Sequence, residues 1–404
     1  MSSTTEEPAV FTRSDDLGEI MEIQMGPSHP ASHGTVKFNL KLDGETIVDI
    51  DVEIGYLHRG FEKMAEQFTW NHVFPYADRL NYASPLLNNV GFALAVEALA
   101  DIEVPERCQY IRVIVGEISR VTDHLTCLGM AASEIGALSA AFYMLEAREL
   151  LYDLIEAITG ARLTVTYCRL GGVTQDLPDD LAERVRDAFG KLHAILADCD
   201  RLLSRNRIFV DRMTDVGVID RDAAISWGLT GPLLRATGEG YDVRRAHPYL
   251  VYDRFDFEVP TGSKGDNYDR YMVRFVEIQQ SIRIVEQALA QIPDGPVRVD
   301  DPRYVLPPKQ EVYGSIEGLM NHFKLVIEGQ KVPAGEVYSA TEGGNGELGF
   351  YLVSDGSGRP YRVRVRPPCF YGMAALGDML RGSMVADVIT TFGQVNMIGG
   401  ECDR

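Results

Sequence analysis

PLLNNVGFALAVEALA (residues 85–100) and PERCQYIRVIVGEISRVTDHLTCLGM (105–130) set the fold class of this 404-residue chain. In the first stretch Leu86, Leu87, Val90, Leu94 and Leu99 recur at helical spacing. Both stretches open on a proline, a residue that suits the first turn of a helix because its missing N–H would have no partner there. In the second, Glu117, Arg120 and Asp123 stand three apart on one face, and taken alone they read as ordinary helical ion pairs. Helical patterns continue outward over 137–159, 178–208, 267–292 and 315–328. The third of these stops at Pro293, and the fourth opens on Ser315, a suitable N-cap, and ends before Gly329. From about Glu62 to Gly329 the chain therefore reads mainly as helix.

The flanks read differently. KFNLKLDGETIVDIDVEI alternates polar and apolar residues around Asp43-Gly44, a hairpin turn signal, so residues 19–57 read as β-structure. After Gly335, GEVYSAT, LGFYLVS and YRVRVR read as three short strands, the last two joined by Asp355-Gly356-Ser357-Gly358. A helical stretch near 374–392 leads to the terminal GGECDR. The expected class is an α-rich α+β fold in four segments: an extended or disordered tail over 1–18, an N-terminal β element over 19–61, a helical bundle over 62–330, and a C-terminal α+β cap over 331–404. Arg362, Arg364 and Arg366 share one face of the last strand, either a solvated face or a surface for an acidic partner.

Lys plus Arg number 39 against 59 Asp plus Glu, a formal charge of −20. So acidic a chain is poorly suited to nucleic acid or to anionic lipid headgroups. No apolar run is long enough for a membrane span, and MSSTTEEPAVFTRSDDLGE lacks the basic and apolar regions of a signal peptide. The six cysteines, at 108, 127, 168, 199, 369 and 402, form no CxxC pair. They read as buried, reduced thiols rather than as a zinc or cluster site.

Chemistry-bearing motifs lie at the junctions. GPSHPASHG (26–34) is a constrained loop that can aim an imidazole into a cavity, or simply a turn with incidental histidines. GYLHRGFEK (55–63) packs His58, Arg59, Glu62 and Lys63 at a strand-to-helix junction, where Glu62 suits a helix N-terminus. DRLNY (78–82) precedes a helix. No P-loop, GxGxxG after a strand, HExxH or GxSxG is present.

Together these motifs resemble one family, the D-type, quinone-site subunits of the proton-pumping NADH–quinone oxidoreductase, respiratory complex I. GPSHPASHG, GYLHRGFEK, DRLNY, GEISRVTDHL, TGARLTVTYCRLGG, LTGPLLRATG, YDVRRAHPY, GDNYDRYMVR, GEVYSATEGGNGELGFYLVSDG, PYRVRVRPP and the closing CDR follow the family's order over residues 20–404. The resemblance implies a nickel–iron hydrogenase large-subunit-like fold. The hydrogenases bind nickel through two CxxC pairs. DRLNYASPLLN stands here in place of the first and QVNMIGGECDR in place of the second, so the resemblance implies a chain that binds no metal.

In the metal's place the family carries a quinone cavity, beside a neighbouring subunit that holds the terminal iron–sulfur cluster. By motif position the headgroup would meet His33 and Tyr82, with Glu134 as the carboxylate beside His33 and Arg59 and Arg79 near the cluster. The implied substrate is ubiquinone or menaquinone. The implied partners are the B-type subunit that bears the terminal iron–sulfur cluster, the C-type subunit and the H-type membrane subunit, with attachment to the cytoplasmic side of the inner membrane. Readings kept beside it are the equivalent subunit of a ferredoxin- or coenzyme F420-linked quinone reductase, and a hydrogenase-related scaffold without quinone chemistry. Four positions depart from the family pattern: Glu134 and Asn81 replace usual aspartates, Thr164 a common histidine, and Asn396 a common aspartate. Loss of the histidine implies a cluster of lower, less pH-dependent potential, as suits menaquinone.

Overall fold

The structure, a computed structural model, describes residues 11–15 and 18–404. Four strands form an antiparallel meander: β1 (Phe11–Asp15), β2 (Gly18–Met25), β3 (Lys37–Asp43) and β4 (Thr46–Glu53). Asp43 pairs with Thr46 across the Gly44 turn, where φ is +61°. Most of the expected 1–18 tail lies outside the described residues. Its Phe11–Asp15 portion is strand β1, paired antiparallel with β2 from Phe11 opposite Glu22 to Asp15 opposite Gly18.

Helices follow: α1 (Phe61–Ala65), α2 (Trp70–Ala77), α3 (Pro85–Ala100), α4 (Glu106–Glu134) and α5 (Leu138–Thr159). A two-residue pairing of β5 (Cys168–Arg169) with β6 (Gly172–Val173) precedes α6 (Leu181–Cys199) and α7 (Arg207–Met213). The expected single helix over 178–208 is thus broken. A π-helical turn occupies Asp200–Ser204, and Asn206 caps α7 through the Ile208 and Phe209 amides.

Residues 214–266 differ more from the helical reading. They hold only α8 (Arg221–Ser226), α9 (Gly231–Arg235), α10 (Val243–Ala246) and a 3-10 turn at Tyr252–Arg254. Glycines interrupt this stretch for spatial reasons. A Cβ on Gly231 (φ +65°) would lie 2.4 Å from the Gly346 Cα.

The remaining elements are α11 (Asn267–Gln291), α12 (Lys309–Gly314), α13 (Ile316–Ile327), β7 (Gly335–Gly343), β8 (Gly346–Ser354), β9 (Arg362–Arg366), α14 (Pro368–Leu380), α15 (Asp387–Val395) and α16 (Gly399–Cys402). Ser315 caps α13 through the Gly318 amide, as its position implied. β7, β8 and β9 form an antiparallel sheet with GGNG at the first turn. The chain is therefore α-rich α+β.

Two apolar cores organise these elements. One joins the helices to the faces of β7–β9, with Trp70, Phe74, Phe92 and Phe350 among its members. The other packs the N-terminal sheet, through Phe38, Leu40 and Ile50, against the C-terminal Met373, Leu376 and Phe392. The two ends of the chain thus share a core. The arginine stripe of β9 faces acids of this same chain: Arg362 lies 3.0 Å from Glu66, and Arg364 lies 3.6 Å from Glu62. All six cysteines are buried and free.

Candidate functional site

The loop between β2 and β3 is tied down from within. Ser32 Oγ donates to the Pro27 and His29 carbonyls, 2.9 Å each. A Cβ on Gly26 would lie 2.3 Å from the Val36 carbonyl oxygen, so only glycine fits. His33 follows in the left-handed region, φ 52°, a conformation that costs a non-glycine residue and is held by its surroundings. Its Nε2 meets Glu134 Oε1 at 2.7 Å across 101 positions of sequence, and its ring rests on Phe392, centroids 5.2 Å apart.

Glu134 sits in the last turn of α4. Its side chain is 7% exposed against 33% for His33. Burial pushes the Glu134 carboxyl above its ordinary value, and the adjacent imidazole opposes that rise. Its second oxygen, Oε2, is buried and has no hydrogen-bond partner among the described residues.

Tyr82 lies at the entry to α3 and is 38% exposed. Burial raises its phenol above the ordinary value, the Cys369 sulfur adds to the rise, and the Arg59 guanidinium counters it. Among the described residues it makes no hydrogen bond or ring contact with His33. A buried polar cluster stands beside it. Asp123 on α4 accepts from Asn81 Nδ2 (2.7 Å) and Ser84 Oγ (2.9 Å), and its other oxygen accepts from Asn396 Nδ2 (3.0 Å). Asn81 and Asn396 therefore flank one carboxylate. Amides can donate to it where two further carboxylates would repel it. The cluster continues through Asn345 and Cys369 Sγ to Glu401, whose Oε2 is 2.5 Å from that sulfur.

Arg59 Nη2 donates to the carbonyls of Arg79 (2.5 Å) and Gly400 (3.3 Å). Burial lowers its pKa and the charge of Arg79 lowers it further, so two cations lie close together. The loop holding Thr164 is fastened to the same region. Thr166 donates to Asp78 from both its amide (2.7 Å) and its hydroxyl (2.5 Å). Asp78 is pushed up to about 6, chiefly by burial.

The C-terminus threads past all of these groups. Asp403 accepts from the amides of Gly55 (3.0 Å) and Leu57 (2.7 Å), and its carbonyl meets His58 Nδ1 at 2.5 Å. Arg404 reaches Glu62 at 3.4 Å. The closing CDR is thus the clamp on the GYLHRGFEK loop. Among the described residues, no group of three His, Cys, Asp or Glu side chains could hold a metal ion.

Residues 134–404 match the family described as the respiratory-chain NADH dehydrogenase 49 Kd subunit. The chain belongs to this family. It is 58% identical to a NADH-quinone oxidoreductase D subunit of Sorangium cellulosum, over 96% of each chain. It is 56% identical to the D subunit of Myxococcus xanthus, over 95% of this chain and 92% of that one. A third relative, the C/D subunit of Bdellovibrio bacteriovorus, is 49% identical over 95% of this chain and 69% of its own length.

As a member of this family, the chain brings some of the expected residues into contact and leaves others apart. His33 and Glu134 meet directly, and Arg59 and Arg79 meet each other near Tyr82. Sequence reasoning missed Phe392, Gly393 and the Asp403 clamp. The single helical stretch expected near 374–392 is two helices, α14 and α15, and Gly393 lies just past its expected end; the signal for the clamp was the acid beside Arg404. The arginine stripe, read as either a solvated face or a partner surface, stays exposed at Arg362 and Arg364 while pairing with Glu66 and Glu62. No helix among the described residues is long and apolar enough to cross a membrane.

Proposed function

We propose that this chain is the quinone-site subunit of a proton-translocating NADH:quinone oxidoreductase, in a hydrogenase-large-subunit-like fold. The observation that carries the reading is the contact between an accessible histidine and a buried, unusually basic carboxylate, in a family whose relatives are named for quinone reduction. Electrons would come from the terminal iron–sulfur cluster of the B-type subunit. Two electrons and two protons convert the quinone to the quinol. The Glu134 carboxylate holds His33 at Nε2 and orients the ring, and the imidazolium form donates from Nδ1–H to one quinone oxygen. The Tyr82 hydroxyl donates to the other. Each group then recovers its proton from solvent.

Both His33 and Tyr82 are partly open, which suits a chamber closed by a second subunit rather than by this chain alone. The B-, C- and H-type subunits are the partners in this reading, and attachment is to the cytoplasmic side of the inner membrane. Arg59 and Arg79 would lie near the cluster and favour its reduced state. Thr164 in place of a histidine lowers the pH dependence of its potential, in keeping with menaquinone rather than ubiquinone. An EPR redox titration at several pH values tests that last point, and a steep dependence counts against it.

Tyr82→Phe tests the central reading. It removes one proton donor, so quinone turnover is expected to fall by about 10²-fold. Reduction of artificial acceptors upstream is expected to persist. Undiminished quinone turnover in the assembled variant would remove Tyr82 from the chemistry.

A further inference from the structure

Phe392 and Gly393 are consecutive on α15 and back the His33–Glu134 pair from two sides. Phe392 is itself held edge-on by Phe38 of β3, centroids 5.3 Å apart, so it is a fixed surface for the imidazole. Gly393 does the corresponding work for the carboxylate. An ideal Cβ there would lie 1.7 Å from Glu134 Oε2, 2.8 Å from its Cδ and 3.2 Å from Oε1.

Gly393 lies inside a right-handed helix, where glycine is less favourable than alanine. Its φ is not positive, so backbone conformation does not require it. The space it leaves is what it supplies. Its carbonyl also accepts from Cys127 Sγ of α4 at 3.7 Å, which holds α15 against the helix that bears Glu134.

We propose that Gly393 is a positioning residue for the quinone-reducing pair: its bare backbone is the seat on which the Glu134 carboxylate lies, and it sets the reach at which a glutamate meets His33. This rests on the quinone-reducing role of that pair. The titratable groups around the carboxylate are His33 from the loop and Cys127 on α4, and Arg274 of α11 and Asp123 of α4 act on Cys127. A methyl group at 393 pushes the carboxylate off its seat and weakens its hold on Nε2. Aspartate at 134 is one methylene shorter and restores room for that methyl.

The test is made in the assembled complex, with three readouts: quinone turnover, its pH profile, and electron transfer to an upstream artificial acceptor. Gly393→Ala is expected to lower quinone turnover at least about tenfold and to shift the pH profile, because the His33 contact that opposes the rise of the Glu134 carboxyl is weakened, with the upstream reaction retained. Gly393→Ala combined with Glu134→Asp is expected to return turnover to within about threefold of Glu134→Asp alone. If Gly393→Ala prevents assembly, the double variant is expected to assemble, and its failure to do so overturns the proposal. Wild-type turnover and pH profile in Gly393→Ala also overturn it, as does a double variant no better than the single. Glu134→Gln separates the two readings. Full turnover in that variant refutes the functional reading itself. Lost turnover there, beside an unaffected Gly393→Ala, refutes only the positioning role.

Discussion

The interior between α4, α10 and α11 and the edge where His33 meets Glu134 use the same residue types to opposite ends. In the interior, Glu117 accepts from Arg244 (3.1 Å), Arg120 (3.1 Å) and the Tyr252 hydroxyl (2.6 Å). Glu277 faces Arg235 (2.9 Å), Arg244 (2.8 Å) and His124 (3.1 Å). Arg235 also reaches Glu342 (2.7 Å), and Arg244 reaches Asp242 (2.6 Å). Each of these side chains is buried. Burial alone would raise Glu277, but the guanidinium of Arg235 and the neighbouring cations outweigh it and hold the carboxyl well below its usual range.

At the edge the balance is reversed. Among the described residues Glu134 has one hydrogen-bond partner, burial dominates, and its carboxyl is raised. The interior shares its charges among many partners and is frozen. The edge leaves a proton acceptor underpartnered beside an accessible imidazole, which is what proton chemistry requires.

The contrast can be broken at either end. Glu277→Ala leaves Arg235, Arg244 and His124 buried beside an uncompensated space. It is expected to cost about 3–5 kcal/mol, read as loss of assembly or of midpoint in denaturant unfolding. A loss under about 1 kcal/mol would mean that water reaches this interior.

Glu401 sharpens the comparison in the polar cluster near Tyr82. Its carboxyl is pushed up to about 7, chiefly by burial, against an ordinary 4.5. The native state therefore keeps a proton that the unfolded chain releases. Stability is expected to fall as pH rises from about 4.5 to 7, by on the order of 3 kcal/mol, and to be level above that window. Glu401→Gln should flatten this decline in unfolding titrations across pH. An unchanged slope would assign the decline to other groups.

His33→Ala is expected to change stability by less than about 1 kcal/mol, because the imidazole is partly in water. Quinone turnover is expected to fall by about 10²-fold in the same variant. Comparable losses of stability in His33→Ala and Glu277→Ala would erase the distinction between edge and interior. The smallest effect belongs to Arg162, which fans over Glu149, Asp153 and Glu156 at 2.7, 2.7 and 2.8 Å on the exposed side of α5. Arg162→Ala should leave the unfolding midpoint unchanged within error, because water and salt screen such pairs.

Much of the architecture was legible along the chain. Pro85 and Pro105 marked two long helices, Asp43-Gly44 and Gly343–Gly346 marked two hairpins, and Ser315 marked a cap. These are local events, governed by a residue's own backbone preferences and those of its near neighbours. Residues 214–266 were harder to read, because their glycines answer to contacts with distant backbone, such as Gly231 against Gly346. The candidate site was legible only by likeness of motif. Periodicity could place Glu117 and Arg120 on one face of α4, and they do pair. It could not show that Asp123 on that same face would turn to Asn81 and Asn396.

By itself, then, the sequence determined the helical class, the terminal sheets, the acidic charge and the family. The tertiary structure decided which charges meet. His33 and Glu134 are 101 positions apart, Asn396 and Asp123 are 273 apart, and Asp403 and Gly55 are 348 apart. Interactions over such separations depend on how whole elements pack. The shared core of the two chain ends brings α15 and the terminal CDR onto the N-terminal loops, and no local propensity encodes that approach. Packing also decided which carboxylates stay charged, because the cations and hydrogen-bond donors left around a carboxyl after burial set its pKa, and these are known only once the elements are in place.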